Sequence, residues 1–289
     1  MKTIREISET RVLFSLVAVH RKRFSPRAVA GLLLLAMCAP LTGFTAVDDT
    51  PDSDNAPVYP PAEELLDTVT ASLPAVPVLV KAQIQSRDAG GEVERSFGAD
   101  MRLDWHGRQP SAKYTINDAF GDTLEGLNIV WPEAGPREFR YFKGDPPVAG
   151  KLDNLYGAIQ GTDIGWMDLS LSYLWWRGGK TVGAEKIKGR DCYIVDLRAP
   201  SDEAGEYAGV RLWIDPQIRI LLQAAAYDAQ GQLVKMLEVK SFKKIRGLWI
   251  IQNLDVQSFP VRHKTTLRVK EASVEGGGKQ EVKSVSSGF

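Results

Sequence analysis

The 289-residue sequence predicts a mainly β (α+β) fold, in which one antiparallel sheet curls around an apolar face. Roughly a dozen strand patterns are joined by short turns, and only about three segments have helical spacing. From residue 191 to residue 251, each strand carries aromatic and aliphatic side chains on one side and Arg, Lys or Asp on the other. A flat open sheet with this many strands is unusual, so the sheet is expected to curve.

The N-terminal 46 residues have the pattern of a secretory signal peptide. Arg21-Lys22-Arg23 and Arg27 precede an apolar run over residues 28–39, which is shorter than the ~20 residues of a membrane-spanning helix. We therefore expect export, with an uncleaved anchor as the alternative. Lipidation at Cys38 is a further alternative, but Met37 stands where a lipobox usually has a small residue.

Composition divides the rest of the chain into a linker over residues 47–61, one domain over 62–272 and a flexible tail over 273–289. Residues 1–46 hold seven of the 36 basic and two of the 36 acidic residues, so the remainder has a net charge of about −5. This balance argues against a general nucleic-acid-binding protein. Cys192 has no second cysteine after the signal peptide, which predicts a small buried apolar residue and no internal disulfide.

The domain begins with a helical pattern over residues 62–73. Glu63 and Glu64 lie in the first turn of this predicted helix, where their negative charges interact favourably with the positive end of the helix dipole. Pro74 ends the helix. Strand patterns with turn residues between them follow. These predicted strands cover residues 78–87, 93–105, 112–118, 125–131 and 137–143.

Two segments with helical spacing interrupt the strands, over residues 149–159 and 163–176. In the second, Thr162 or Asp163 is the expected N-cap, since both side chains accept a hydrogen bond from the first turn. The strands then resume, with hairpin turns at residues 188–190 and 228–231. This second set covers residues 181–188, 191–198, 208–214, 220–227, 232–242, 248–256 and 264–270.

No motif in the sequence predicts a catalytic, cofactor-binding or metal-binding residue. Arg177-Gly178-Gly179-Lys180-Thr181 ends like a phosphate-binding loop, but Leu174 replaces the glycine that such a loop requires. His106 and His263 have no second metal ligand nearby in the sequence. Motifs of the G-x-S-x-G type are absent. The sequence leaves open a catalytic pair whose two residues come together only in the folded chain.

Seven tryptophans provide the other distinctive feature. Packing in the core or between strands is the simplest explanation for any one of them. Trp213 and Trp249 alternate with their apolar neighbours and so point away from them, which leaves a groove on a concave face as the alternative. On that alternative, the tryptophans that would line the groove are Trp105, Trp131, Trp213 and Trp249.

An ordered series of short motifs resembles the outer-membrane lipoprotein-sorting (LolA-like) proteins, and more narrowly a branch found with RND-type exporters. The series spans most of residues 95–270. It consists of G-T-D-I-G-W-M-D-L-S (161–170), G-R-D-C-Y-I-V-D-L (189–197), R-L-W-I-D (211–215), A-Y-D-A-Q-G-Q-L-V-K (226–235) and F-K-K-I-R-G-L-W (242–249).

This resemblance implies an incomplete β-barrel whose apolar concave side is covered by helices and binds acyl chains. Residues 161–176 would form the lid, and Ile164, Met167, Leu171 and Leu174 would face the cavity. The implied function is a non-catalytic periplasmic carrier of lipoprotein or lipid acyl chains. The implied partner is an inner-membrane exporter of RND or ABC type. A lipid-sensing accessory module and a hydrolase are the alternatives, and no cofactor or nucleic acid is expected.

Overall fold

The computed structural model describes residues 58–275, apart from 107, 108, 134, 204, 246, 247 and 262, together with the backbone of Gln280–Glu281. The predicted signal peptide, Cys38, most of the predicted linker and most of the predicted tail lie outside the described residues. Within the described part of the chain, no helix combines the length and apolar content needed to cross a membrane.

Fourteen strands and two α-helices form the described structure. The α-helices are α1 (Ala62–Ala71) and α2 (Trp166–Ser170). Short 3-10 turns lie at Ile159–Gly161, Ser172–Trp175 and Ser201–Glu203. The strands are β1 (Val78–Arg87), β2 (Val93–Asp104), β3 (Ser111–Asn117), β4 (Thr123–Val130), β5 (Glu138–Lys143), β6 (Val148–Gly150), β7 (Lys180–Ile187), β8 (Arg190–Arg198), β9 (Gly209–Asp215), β10 (Ile220–Tyr227), β11 (Leu233–Ile245), β12 (Leu248–Ser258), β13 (Lys264–Val274) and β14 (Gln280–Glu281).

All strands belong to one antiparallel sheet with the order β6-β5-β4-β3-β2-β1-β13-β12-β11-β10-β9-β8-β7, and β14 pairs with β13. Consecutive strands are neighbours throughout, except where β1 pairs with β13 and joins the two halves of the chain. Among the described strands, β6 and β7 end this order without pairing with each other, so the curved sheet stays open. The prediction of a mainly β, curled antiparallel sheet is confirmed.

The predicted helix over residues 149–159 is wrong. Val148–Gly150 instead forms β6 against β5, and an irregular segment leads to the 3-10 turn at Ile159–Gly161. The helical spacing reflected burial of Tyr156 and Ile159 in the core, not a helix. Tertiary packing therefore overrides the local pattern in this segment.

The predicted helix over residues 163–176 is present only in part. It consists of α2 and a 3-10 turn, which meet at Leu171 in the left-handed conformation (φ 51°, ψ 34°). Gly165 is the N-cap of α2, not Thr162 or Asp163, and its backbone N–H donates to Asp168 Oδ2 at 2.9 Å. A left-handed leucine is uncommon because its Cβ is crowded there, and such strain concentrates at functional segments.

The sheet buries apolar side chains on both faces. A large inner cluster packs against α1 and residues 159–176, whereas a small outer cluster covers β8 to β11 from the other side. Leu212 and Ile214 belong to the inner cluster and Trp213 to the outer one, as the alternation of β9 predicts. Cys192 is buried in the outer cluster, as predicted for a small apolar residue.

Burial raises the pKa of the Cys192 thiol to about 11, and the nearby Asp215 charge adds to the effect. At pH 8 we expect iodoacetamide to modify Cys192 more than about 100-fold more slowly in the folded protein than in urea, because the thiolate is the nucleophile. Folding favours the neutral thiol, so this contribution to stability is lost as the pH rises from about 9 towards 11. Mass spectrometry of the peptide containing Cys192 measures the rate, and equal rates in the two states would contradict the burial.

Candidate functional site

The inner face of the sheet has a polar end and an apolar end. At the polar end, four strands each carry a polar residue that lies two positions before the first of the apolar residues facing inward on that strand. These residues form the inner polar row: Arg95 (β2), Glu125 (β4), Lys235 (β11) and Thr265 (β13). Ser86 of β1 lies opposite both Arg95 and Thr265, which places these two members of the row at one level of the sheet.

Each member of the inner polar row contacts residues 159–176, which we call the lid segment. Arg95 Nη1 donates to the carbonyl of Gly161 at 2.7 Å. Glu125 Oε1 accepts from Gln160 Nε2 at 2.8 Å. Thr265 Oγ1 accepts from the backbone N–H of Asp163 and donates to its carboxylate, both at 2.8 Å. Three strands, β2, β4 and β13, therefore hold the first part of the lid segment.

The fourth contact is an ion pair in the interior. Lys235 Nζ lies 3.1 Å from Asp168 Oδ2, and the two side chains are only 7% and 4% exposed. Tyr207 donates its hydroxyl to Asp168 Oδ1 at 2.8 Å, and the Lys235 ammonium lies 5.7 Å from the centre of the Tyr207 ring. A buried ion pair offsets its desolvation only when further hydrogen bonds satisfy it, as Tyr207 and Gly165 do here.

A second set of polar contacts fastens the end of the lid segment nearest β7. Arg137 donates to the carbonyl of Ser172 at 2.9 Å and forms an ion pair with Glu203. Trp176 Nε1 donates to Glu203 Oε2 at 2.8 Å, and Tyr156 donates its hydroxyl to the Glu203 carbonyl. Burial raises the pKa of Tyr156 to about 12, so the phenol remains a donor at neutral pH.

The apolar end of the inner face encloses a cavity of about 200 Å³. Its walls come from the end of α1, from β1, β2, β3, β12 and β13, and from the lid segment. Tyr114 and Ser170 contribute the hydroxyl groups of the lining, and burial raises the pKa of Tyr114. The other lining residues are Leu73, Pro74, Val78, Val80, Met101, Leu103, Trp105, Leu169, Leu171, Trp249, Ile250, Ile251, Leu254, Leu267 and Val269.

A second cavity of about 370 Å³ adjoins the first, between α1, the lid segment and the turn that joins β9 to β10. Leu171 and Trp249 line both cavities, as do Leu73, Pro74 and Ile251. Rearrangement of these few side chains would join the two spaces. Within the described residues, no group of three His, Cys, Asp or Glu side chains could hold a metal ion.

The structure separates the four lid residues that were predicted to line the cavity. Leu171 is half-buried and lines both cavities, and Leu174 lines the second. Ile164 and Met167 are fully buried members of the inner cluster. The helical stripe therefore contains two residues packed as core and two at a cavity wall.

The four predicted tryptophans are also divided. Trp105 and Trp249 line the first cavity, and Trp249 is 39% exposed. Trp131 packs with Trp105 and Trp175, with ring centres 5.1–5.3 Å apart. Trp213 lies in the outer cluster, where its Nε1 donates to Glu185 Oε2 at 2.9 Å.

Sequence reasoning missed the inner polar row, although the signal is present. Alternation along each strand places Glu125 in phase with Leu127, and Lys235 in phase with Leu237, so both polar residues point inward. A polar residue in the inward phase requires a partner when it is buried. The partner, the lid segment, is not identifiable from a single strand.

Comparisons with known proteins bear on the fold. A family model described as "Uncharacterized protein" matches residues 151–282, less than half of the chain. No curated protein matches the chain. Solved structures do match it, at low sequence identity.

A DUF1329 family protein from Desulfovibrio piger aligns with a TM-score of 0.65 and 15% identity, over 75% of this chain and 92% of that one. A putative outer membrane lipoprotein-sorting protein domain from Vibrio parahaemolyticus aligns with a TM-score of 0.64 and 16% identity, over 75% and 94%. A LolA superfamily protein from Nitrosomonas europaea aligns with a TM-score of 0.53 and 15% identity, over 75% and 94%. The chain therefore has the LolA-like fold, as the resemblance of its motifs predicts.

Proposed function

We propose that this protein is a non-catalytic carrier that shields acyl chains of lipoproteins or other lipids. The observation that carries the proposal is the pair of adjoining cavities at the apolar end of the inner face. The first has walls made almost entirely of aliphatic and aromatic side chains, and the second adds Ser72, Gln217 and Arg219 to a mainly apolar lining. A pocket of this composition favours ligands without polar groups along their length, such as an acyl chain. The low sequence identity of the structural relatives makes the cavity, not the fold, the support for this function.

Binding would be driven by removal of the acyl chain from water, which contributes about 0.8 kcal/mol per CH₂ group. The first cavity is smaller than the ~300–1,000 Å³ of typical ligand pockets. An acyl chain would therefore displace Leu171 and Trp249 and occupy both cavities. The contacts between the inner polar row and the lid segment lie at the opposite end of the inner face, so they need not break during loading.

Hydrolysis receives less support from the same site. The first cavity has Tyr114 and Ser170 as its hydroxyl-bearing residues and no Asp, Glu, His, Lys or Cys in its lining. Ser170 Oγ is engaged with the Trp166 carbonyl at 2.7 Å and with Ser172 Oγ at 2.6 Å. A serine nucleophile needs an adjacent general base, and this lining offers none.

The carrier proposal extends to location and partners. Residues 1–46 would direct export to the periplasm, residues 62–272 would form the carrier domain, and an inner-membrane exporter of RND or ABC type would supply the cargo. The acidic, proline-rich composition of residues 47–61 suits a spacer between the two parts.

Native mass spectrometry of protein purified from an exporting host tests the carrier function directly. We expect additional mass from co-purified lipid, and displacement of that lipid by a fluorescent fatty acid. The protein unfolded in urea provides the control for non-specific adsorption of the probe. A folded protein that holds no lipid and takes up no acyl probe would refute the carrier proposal.

A further inference from the structure

The hairpin between β11 and β12 extends beyond its neighbouring strands. Pairing of β11 with β10 ends at Glu238, and pairing of β12 with β13 ends at Asn253. Beyond these positions β11 and β12 pair only with each other, as far as Ile245 and Leu248. We call the described residues of this hairpin end, 241–245 and 248–251, the arm. An isolated two-stranded hairpin is marginally stable in water, so the arm is expected to rest on another surface.

The β12 strand of the arm lies at the cavities. Trp249 and Ile251 line both cavities, and Ile250 lines the first. Phe242 packs edge-on against Trp249, with ring centres 5.2 Å apart. The arm therefore forms part of the rim through which a ligand would reach the apolar space.

The charged residues of the arm are all basic. Between Glu238 and Asp255 the sequence contains Lys240, Lys243, Lys244 and Arg246, and it contains no acidic residue. Lys240 pairs with Glu238 at the base of the arm. Lys243 and Lys244 form no ion pair with any residue that the structure describes.

A partly exposed tryptophan lies within this positive charge. Trp249 is 39% exposed, and the exposed Lys244 ammonium lies 5.5 Å from the centre of its ring. Tryptophan prefers the boundary between lipid head groups and acyl chains, because its ring is amphipathic. Lysines next to such a residue attract anionic head groups.

We infer that the arm docks on an anionic lipid surface through the exposed part of Trp249 and through Lys244, which lies opposite it on the hairpin, while Lys243 adds positive charge from the other face. This inference rests on the proposed carrier function, because docking would place the cavity rim against the membrane that supplies or receives the acyl chain. The charge complementarity of the unpaired lysines selects an anionic bilayer over a neutral one. The contact would be reversible, because one tryptophan and two lysines bury little area.

Co-sedimentation with protein-free vesicles tests the docking. We expect the protein to bind vesicles of phosphatidylcholine mixed with phosphatidylglycerol, to bind phosphatidylcholine alone much more weakly, and to be released by salt. Lys243→Gln/Lys244→Gln should lower binding to the anionic vesicles by roughly 25-fold, since each lysine near such a surface contributes about fivefold. Trp249 emission should shift to the blue on binding, and Trp249→Phe should remove that shift.

The matched control is Lys113→Gln/Lys151→Gln, which removes two exposed lysines outside the arm. Equal losses in the two double variants would overturn the docking, as would equal binding to neutral and anionic vesicles. Binding to native membranes but not to protein-free vesicles would also overturn it, since the partner would then be a protein.

Uptake of a fluorescent fatty acid in solution is measured on the unsubstituted protein and on Lys243→Gln/Lys244→Gln, because neither Lys243 nor Lys244 lines the cavities. The Lys243→Gln/Lys244→Gln variant should keep its uptake while its vesicle binding falls. If the unsubstituted protein takes up the fatty acid but does not bind anionic vesicles, the docking alone is refuted. Vesicle binding without uptake refutes the carrier function and leaves the arm as a membrane contact.

Discussion

Lys235→Met is expected to lower the free energy of unfolding by about 3–5 kcal/mol, the usual cost of leaving one partner of a buried ion pair without the other. The carboxylate of Asp168 would keep the hydrogen bonds from Tyr207 and Gly165 but lose its only cation within 4 Å among the described residues. Urea denaturation followed by circular dichroism measures the change. The double variant Lys235→Met/Asp168→Asn should recover part of the loss, because it removes the uncompensated charge.

Lys240→Met is the matched control on the same strand. Lys240 pairs with Glu238 at 2.9 Å, but both side chains are well exposed, so the loss should not exceed about 1 kcal/mol. If both substitutions cost the same, the Lys235–Asp168 pair does not hold the lid segment. A double variant that is less stable than Lys235→Met would also contradict this role.

Leu171→Asp is expected to weaken the binding of an acyl probe by about 10- to 100-fold, because burying a polar group without a partner costs roughly 1–3 kcal/mol. The fold should survive, with a loss of no more than about 2 kcal/mol. Leu171 is half-buried, and aspartate tolerates the left-handed conformation better than leucine. Fluorescence titration and urea denaturation on the same sample separate the two effects.

Two further substitutions define the limits of this test. Val148→Asp adds the same charge at an exposed position on β6, and it should change neither binding nor stability measurably. Met167→Asp adds it at a fully buried core position, and it should cost about 4 kcal/mol or more. If Leu171→Asp unfolds the protein as Met167→Asp does, Leu171 is core and does not line a binding site. Unchanged probe binding in a folded Leu171→Asp protein would also refute its role.

Most of the sheet could be predicted from the sequence, because alternation and turn chemistry are local. The turn at Lys188-Gly189 has positive φ at both residues, and the predicted hairpin between β7 and β8 follows from it. The strand at Val148–Gly150 could not be predicted from the sequence. Its three residues are too few for a pattern, and only pairing with β5 makes them a strand.

The site was less predictable than the sheet, because it depends on which face of each strand the lid segment covers. Trp213 and Trp249 look alike in the sequence, since each is flanked by aliphatic residues. In the folded chain Trp213 lies in the outer cluster and Trp249 lies at the cavities. The break at Leu171 has no sequence signal, because leucine favours helices and seldom ends one.

The inner polar row also has a consequence for the order of folding. Its contacts join Arg95 to Gly161, Asp168 to Lys235 and Asp163 to Thr265, over 66, 67 and 102 positions of the chain. Contacts this distant form late, because the entropy of closing long loops must first be overcome. We therefore expect the lid segment to reach its final position only after β13 has paired with β1. Until then the apolar inner face is open to water, so the partly folded chain is prone to aggregation.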